Sequence, residues 1–171
     1  MADLDLSKAE AVRLSEENSN LVKDFDCGDD ELNEFLGENA IEHAKSKIAV
    51  TYLFLHEGEM LGFFSVSMSA IKPHDDILRI FRERGKEYTQ FPSVLIGRLG
   101  VNKRIHGQHV GTELIKVALG LASRISDMIA CRFIVVDSYH QKVGFYEKNG
   151  FRMISKSEKT SKLYLDLLRE F

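Results

Sequence analysis

The sequence predicts an α/β fold in which helices flank a mixed central β-sheet, and three stretches lead to it. Ala49–Leu55 and Met60–Met68 are apolar runs of strand-forming residues, and the polar turn His56–Glu59 makes them a hairpin. Val94–Val101 is a second strand-like run. It enters a short basic loop, then an amphipathic helix from about Thr112 to Ser126, then the β-branched run Arg132–Ser138. Phe151–Ser155 and Lys162–Leu168 read as two closing strands, paired through the polar turn 156–161.

The remaining elements fit around these. Asp29 to Lys45 reads as an amphipathic helix, with Leu32, Phe35, Leu36, Ala40 and Ile41 on one side and Asp29 or Asp30 as its cap. Asp75 to Tyr88 is a charged helical stretch whose apolar side holds Ile77, Leu78, Ile80 and Phe81. Pro92 introduces the strand that follows. The strands around 98 and 135 are expected to run parallel through their helix, with a right-handed crossover. Gly150 stands where a C-terminal cap would close a short helix around Tyr146. Repeats, low-complexity tracts and proline-rich linkers are absent, so residues 1–171 are expected to form a single domain.

Composition narrows the function classes. Hydrophobic content of 44% with 29% charged residues suits a globular chain, and no apolar run is long enough to span a bilayer. The first residues lack a secretory pattern, and Cys27 and Cys131 show no metal-ligand spacing. A cytoplasmic, reduced protein without membrane or metal partners is therefore expected. Cys27 could serve as a nucleophile or simply as a small side chain near a helix start, and the second reading is preferred. A net charge of −3 conceals an asymmetry. Residues 1–45 carry thirteen acidic against four basic side chains, giving −9, whereas residues 72–104 carry eight basic against four acidic, giving +4. The basic stretch suits an anionic ligand. The acidic one is either a solvated helix face or an attractor for a cationic acceptor.

The loop between Val101 and Thr112 carries the sharpest chemistry. A strand that turns through glycines into a helix N-terminus leaves amide N–H groups facing outward, and the helix dipole adds positive potential there. Gly107 and Gly111 would let the main chain approach a phosphate, and Lys103 and Arg104 add charge. The spacing excludes two familiar loops. No Gly-Lys-Ser/Thr follows, as a nucleotide hydrolase would need, and Gly-x-Gly-x-x-Gly is absent.

Arg104-Ile105-His106-Gly107-Gln108-His109 resembles the pyrophosphate loop Arg/Gln-x-x-Gly-x-Gly/Ala of the GNAT superfamily of N-acetyltransferases. His109 stands in place of Gly or Ala, and Gly111 matches a glycine that commonly follows. Phe145-Tyr146-Glu147 with Gly150-Phe151 resembles the superfamily's second hallmark, about 40 residues further on and with a strand between. The resemblance covers roughly residues 48–168 and implies the GNAT fold, in which the two parallel strands splay and admit acetyl-CoA. It further implies that Leu99, Gly100 and Val101 offer backbone groups to the pantetheine arm and thioester. Arg104, Ile105, His106, Gly107, Gln108, His109, Val110, Gly111 and Thr112 would cradle the pyrophosphate. Tyr146 would protonate the departing thiolate, the alternative being a half-buried core aromatic. In the family His106 and His109 would face phosphates rather than the amine. Tyr139 stands where the family often has a cofactor-contacting asparagine, so that contact is not carried over. Arg98 either faces the acceptor cleft or snorkels to the sheet surface. No carboxylate stands out as the base; deprotonation through water is the fallback, and Asp137, ending its strand, is a further candidate.

The implied activity is transfer of an acetyl group from acetyl-CoA to a primary amine of a small molecule or protein. Two alternatives stand beside it. Cys27-Gly-Asp-Asp-Glu-Leu-Asn-Glu-Phe-Leu36 and Ile96-Gly-Arg-Leu-Gly-Val101 resemble the GNAT branch of bacterial toxins that acetylate aminoacyl-tRNA and are neutralised by ribbon-helix-helix antitoxins. Gly100 there replaces an alanine. Against this, tRNA demands broad phosphate neutralisation, which the acidic first quarter opposes. The other alternative is a non-catalytic module that only binds acetyl-CoA. A homodimer is a further partnership that the family permits.

Overall fold

The computed structural model describes residues 5–168. Its strands are β1 (Glu10–Arg13), β2 (Val50–His56), β3 (Glu59–Ile71), β4 (Phe91–Val101), β5 (Phe133–Tyr139), β6 (Arg152–Lys156) and β7 (Thr160–Asp166). The helices are α1 (Asp30–Glu34), α2 (Ala40–Lys45), α3 (Asp75–Arg82), α4 (Val110–Ile129) and α5 (Val143–Lys148). All seven strands belong to one mixed sheet in the order β1-β2-β3-β4-β5-β7-β6, with flanking helices. The chain divides into two compact units: the part up to Ser67 with Ile96–Ala118, and Met68–Leu95 with Leu119 onward.

In the first unit, β1, β2 and β3 are antiparallel. Glu57 and Gly58 both have positive φ, as a two-residue type I′ hairpin turn requires, so the hairpin forms where the sequence places it. β1 is an addition: Glu-Ala-Val-Arg is too short and too polar to show a strand period, and its pairing with β2 supplies what its own side chains do not. Asp29 caps α1 by accepting from Leu32 N–H. The helix expected over 29–45 is interrupted by a wide π turn at Phe35–Asn39, where Ala40 N–H reaches Phe35 C=O. Phe35, Leu36 and Ala40 then meet Leu14, Leu53, Leu55, Met60 and Phe63 in a core that also receives Leu32 and Ile41.

Two glycines bring β3 and β4 unusually close. A Cβ on Gly62 would stand 2.7 Å from the Gly100 carbonyl oxygen, and one on Gly100 would stand 2.7 Å from Phe63 Cε1 and 3.4 Å from Cys27 Cβ. Phe63 is itself fully buried, edge-on to Phe25 at 5.6 Å. The glycine at position 100, which departs from the toxin branch's alanine, therefore answers to the aromatic packed against it.

In the second unit, β7 pairs antiparallel with both β5 and β6. Ile71, Ile77, Leu78, Phe91, Phe133, Val135 and Tyr164 form its core. α3 ends at Arg82 rather than continuing to Tyr88, because Gly85 takes a positive φ and Lys86 N–H returns to Phe81 C=O, closing the helix with a left-handed cap. Arg132 holds Asp166 through two hydrogen bonds of 2.8 Å, tying the start of β5 to the end of β7. Among the described residues no helix is long and apolar enough to cross a membrane, and no cluster of metal-binding side chains forms.

Replacing Gly100 with Ala is expected to destabilise the fold by about 1–3 kcal/mol through overpacking against Phe63. Urea unfolding monitored by circular dichroism would register a lowered midpoint, and an unchanged midpoint would mean that Phe63 yields freely.

Candidate functional site

The expected phosphate loop lies entirely in the first unit, and the chain assembles it from local hydrogen bonds. At the end of β4, Asn102 N–H binds the Leu61 carbonyl at 2.9 Å. The Asn102 side chain accepts from Arg104 N–H at 3.1 Å and its carbonyl accepts from Ile105 N–H, which caps the 3-10 turn Lys103–Ile105. His106 Nε2–H reaches back to the Val101 carbonyl at 2.9 Å, so this imidazole binds the strand end. Gln108 N–H closes on the Ile105 carbonyl. The chain then enters α4 through His109, whose carbonyl accepts from Thr112 and Glu113 N–H.

This arrangement leaves the amides of Gly107, His109, Val110 and Gly111 without a backbone acceptor among the described residues. They stand at the positive end of a 20-residue helix. Gly107 has φ +85°, and nothing lies within 4 Å of where its Cβ would stand, so the main chain is open to a ligand at that point. Arg104 and His106 are exposed beside it. An unpaired row of amides, an open glycine and an exposed guanidinium fit a diphosphate on this geometry alone. Leu99, Gly100 and Val101 lead into the turn from β4, as expected, and Ile105, Gln108 and Thr112 help to build it.

His109 is the irregular member. Its φ is +61°, in the left-handed region where a Cβ is disfavoured and where the family usually has Gly or Ala. The turn thus holds a residue with a side chain in a strained conformation.

Charge around the loop differs from expectation in one respect. Lys103 pairs with Asp26 through its ammonium, and its amide N–H binds the Asp26 carbonyl at 2.9 Å. Asp26 also accepts from Gly28 N–H at 2.7 Å and from Asn33 Nδ2 at 3.0 Å. These bonds, the one from Lys103 foremost, hold the Asp26 carboxyl down to about 2. Neither Asp26 nor Asn33 was visible as a site residue in the sequence. Pairing across about 77 positions leaves no local signal, although Asn102 ahead of a basic turn carries a recognisable capping pattern.

Arg98 is half-buried. Its guanidinium lies 3.7 Å above the centre of the Phe35 ring, a cation–π contact that joins β4 to the π turn. Cys27 is buried, with its thiol pushed up by desolvation and bonded to Asn33 Oδ1 at 3.2 Å, which suits a packed side chain and not a nucleophile.

Tyr146 belongs to the second unit, on α5. Its ring packs edge-on to Phe145 at 5.0 Å and Phe151 at 5.6 Å. Gly150, at φ +88°, and the Phe151 N–H to Tyr146 carbonyl bond close α5 as a helix cap. Burial pushes the phenol up to about 12, so the hydroxyl remains a proton donor throughout the neutral and mildly alkaline range. Tyr139, in place of the family's asparagine, is partly exposed.

The family model described as an acetyltransferase (GNAT) domain matches residues 84–164. A tRNA-acetylating toxin of Mycobacterium tuberculosis (strain ATCC 25618 / H37Rv) is 24% identical over 148 residues, covering 86% of this chain and 85% of that protein. AtaT complexed with acetyl-methionyl-tRNAfMet is similar in fold, with a TM-score of 0.80 at 22% identity, covering 95% of this chain and 96% of that one. AtaTR bound with AcCoA gives a TM-score of 0.78 at 20% identity, covering 95% and 96%.

The loop generates a paired prediction. Gly107→Ala is expected to cost about 1–2 kcal/mol of loop conformational energy and to weaken CoA binding. His109→Gly relieves the same kind of strain and is expected to leave CoA affinity within about twofold of the wild type, well under 1.4 kcal/mol. Calorimetric titration with CoA checks both, and a large loss at position 109 would show that the imidazole itself binds.

Proposed function

We propose that the chain, which matches a GNAT acetyltransferase model over residues 84–164, takes acetyl-CoA as its donor and the amino group of an aminoacyl-tRNA as its acceptor. The observation that carries this reading is the match along most of the chain to a tRNA-acetylating toxin, together with likeness to AtaT complexed with acetyl-methionyl-tRNAfMet. Two segments of this chain add support. The Cys27–Leu36 stretch and Ile96–Val101 resemble that branch, and they meet through Arg98 over Phe35. On this reading the chain acts as one catalytic domain in the cytoplasm, where its substrate resides, and is held in check by a ribbon-helix-helix antitoxin.

The chemistry asks three things of the protein. The amine must arrive unprotonated, and water takes its proton, because no carboxylate or imidazole in the loop is placed as a base. The amine nitrogen forms a bond to the acetyl carbonyl carbon while the carbon–sulfur bond breaks, and the nitrogen then gives up its second proton to water to leave the neutral amide. Backbone N–H groups near Leu99 and Val101 are the proposed donors to the carbonyl oxygen. Tyr146 is the proposed acid: its hydroxyl passes a proton to the leaving sulfur and is reprotonated from solvent. A phenol held near 12 by burial is a weak acid in water, but the same dry surroundings also raise the proton affinity of a thiolate.

A second reading rests on charge. Residues 1–45 carry −9, which favours a small cationic amine over a polyanion.

Incubation with radiolabelled acetyl-CoA and a mixture of charged tRNA, deacylated tRNA, polyamines and peptides decides between them. Label is expected on charged tRNA alone and should be released with the aminoacyl bond. Label on polyamines or peptides and not on charged tRNA would replace the acceptor. For Tyr146, substitution by Phe keeps the ring between Phe145 and Phe151, so turnover is expected to fall roughly 100-fold with CoA affinity unchanged. Unaltered turnover would move the acid elsewhere.

A further inference from the structure

The donor loop is braced from outside by a segment that no motif includes. Asp26 accepts four contacts at once: the Lys103 ammonium and Lys103 N–H, Gly28 N–H, and Asn33 Nδ2. Asn33 Oδ1 in turn accepts from Cys27 N–H at 3.0 Å and from the Cys27 thiol. Asn33 lies in α1, so the brace runs from the first helix to the first residue of the turn. Gly28, at φ +80°, lets this strap lie against the loop, its would-be Cβ standing 3.9 Å from Lys103 Cβ.

A lysine one position before Arg104 would ordinarily be counted as a phosphate ligand. Here its charge is already matched by a carboxylate that is itself pinned by two other donors. Both partners are partly exposed, at 55% and 42% of their side-chain surface, so the pair is worth little as global stability. Its effect is local, because the bonded groups sit at the root of the turn whose amides face the ligand.

We propose that Asp26 is a positioning residue for acetyl-CoA binding, holding Lys103 as a strut of the pyrophosphate turn instead of leaving it as a ligand of the phosphates. The inference rests on the donor-binding reading above. Arg104 and the main-chain amides then supply the recognition, and Asp26 sets where they stand.

The two roles of Lys103 predict opposite outcomes for one substitution. If Lys103 is a strut, Asp26→Asn and Lys103→Met each loosen the turn. Each should raise the KM for acetyl-CoA and the Kd for CoA about three- to fivefold, the size expected of a partly exposed charged pair. The kcat at saturating donor should stay within about twofold, and the double variant should be no weaker than the weaker single, since both changes break one contact. If Lys103 binds phosphate, Asp26→Asn frees it and CoA binding tightens, which would overturn the proposal. The measurements are CoA titration calorimetry and initial rates on the full-length chain, with near-ultraviolet circular dichroism to confirm folding. Should Asp26→Asn misfold, Asp26→Glu, which keeps the charge and displaces it, must show the same KM rise for the proposal to stand. Equal CoA affinity in folded wild type and Asp26→Asn would sink this inference alone. Failure of the wild type to bind CoA would instead remove the donor assignment beneath it.

Discussion

A row of amide N–H groups without acceptors, where β4 turns into α4, is the interaction on which the rest of the site depends. Buried or half-buried main-chain donors are normally paired, and leaving several open is costly unless a ligand or water takes them. The chain keeps them open by satisfying everything around them. Asn102 closes the 3-10 turn, His106 holds the strand end, and the His109 carbonyl takes the first helical bonds. A positively polarised, prearranged surface of this kind needs little reorganisation when a diphosphate arrives.

Precision at β4 comes from absent side chains. Gly62 and Gly100 remove the atoms that would hold β3 and β4 apart, and Phe63 fills the space beside them. The backbone of Leu99–Val101 is thereby seated against a rigid aromatic core. In the second unit a different principle governs Tyr146. Packing against Phe145 and Phe151 dries the phenol and keeps its proton in place.

How much of this could be read from the sequence followed the range of each interaction. Local rules worked: Asp29 capped its helix, Gly150 closed α5, and Glu57-Gly58 turned the hairpin. The turn after β4 stood where glycine spacing placed it, although α4 begins at Val110, two residues before the expected Thr112. Gly85 was an equally local stop signal that the charged periodicity of 75–88 obscured, and the helix ended there. Features that depend on distant partners were not legible. β1 exists through its pairing with β2, Asp26 pairs with Lys103, and Arg98 lies over Phe35. Chain-wide charge constrains the acceptor little, because it averages over surfaces that different ligands meet separately.

The π turn has a consequence for how the first helical segment tolerates change. On an unbroken α-helical wheel, Ile41 would point opposite Leu32, yet both pack into one core. The wide turn at Phe35–Asn39 holds the winding back by roughly a quarter revolution and so brings the later residues into phase. Loss of a single residue from those five would restore ordinary winding, and because a missing residue removes about 100° of rotation, nearly what the wide turn holds back, Ala40 and Ile41 would still face β2. The segment should thus absorb one deletion within the turn, whereas a deletion in an unbroken helix would rotate every later residue off its core.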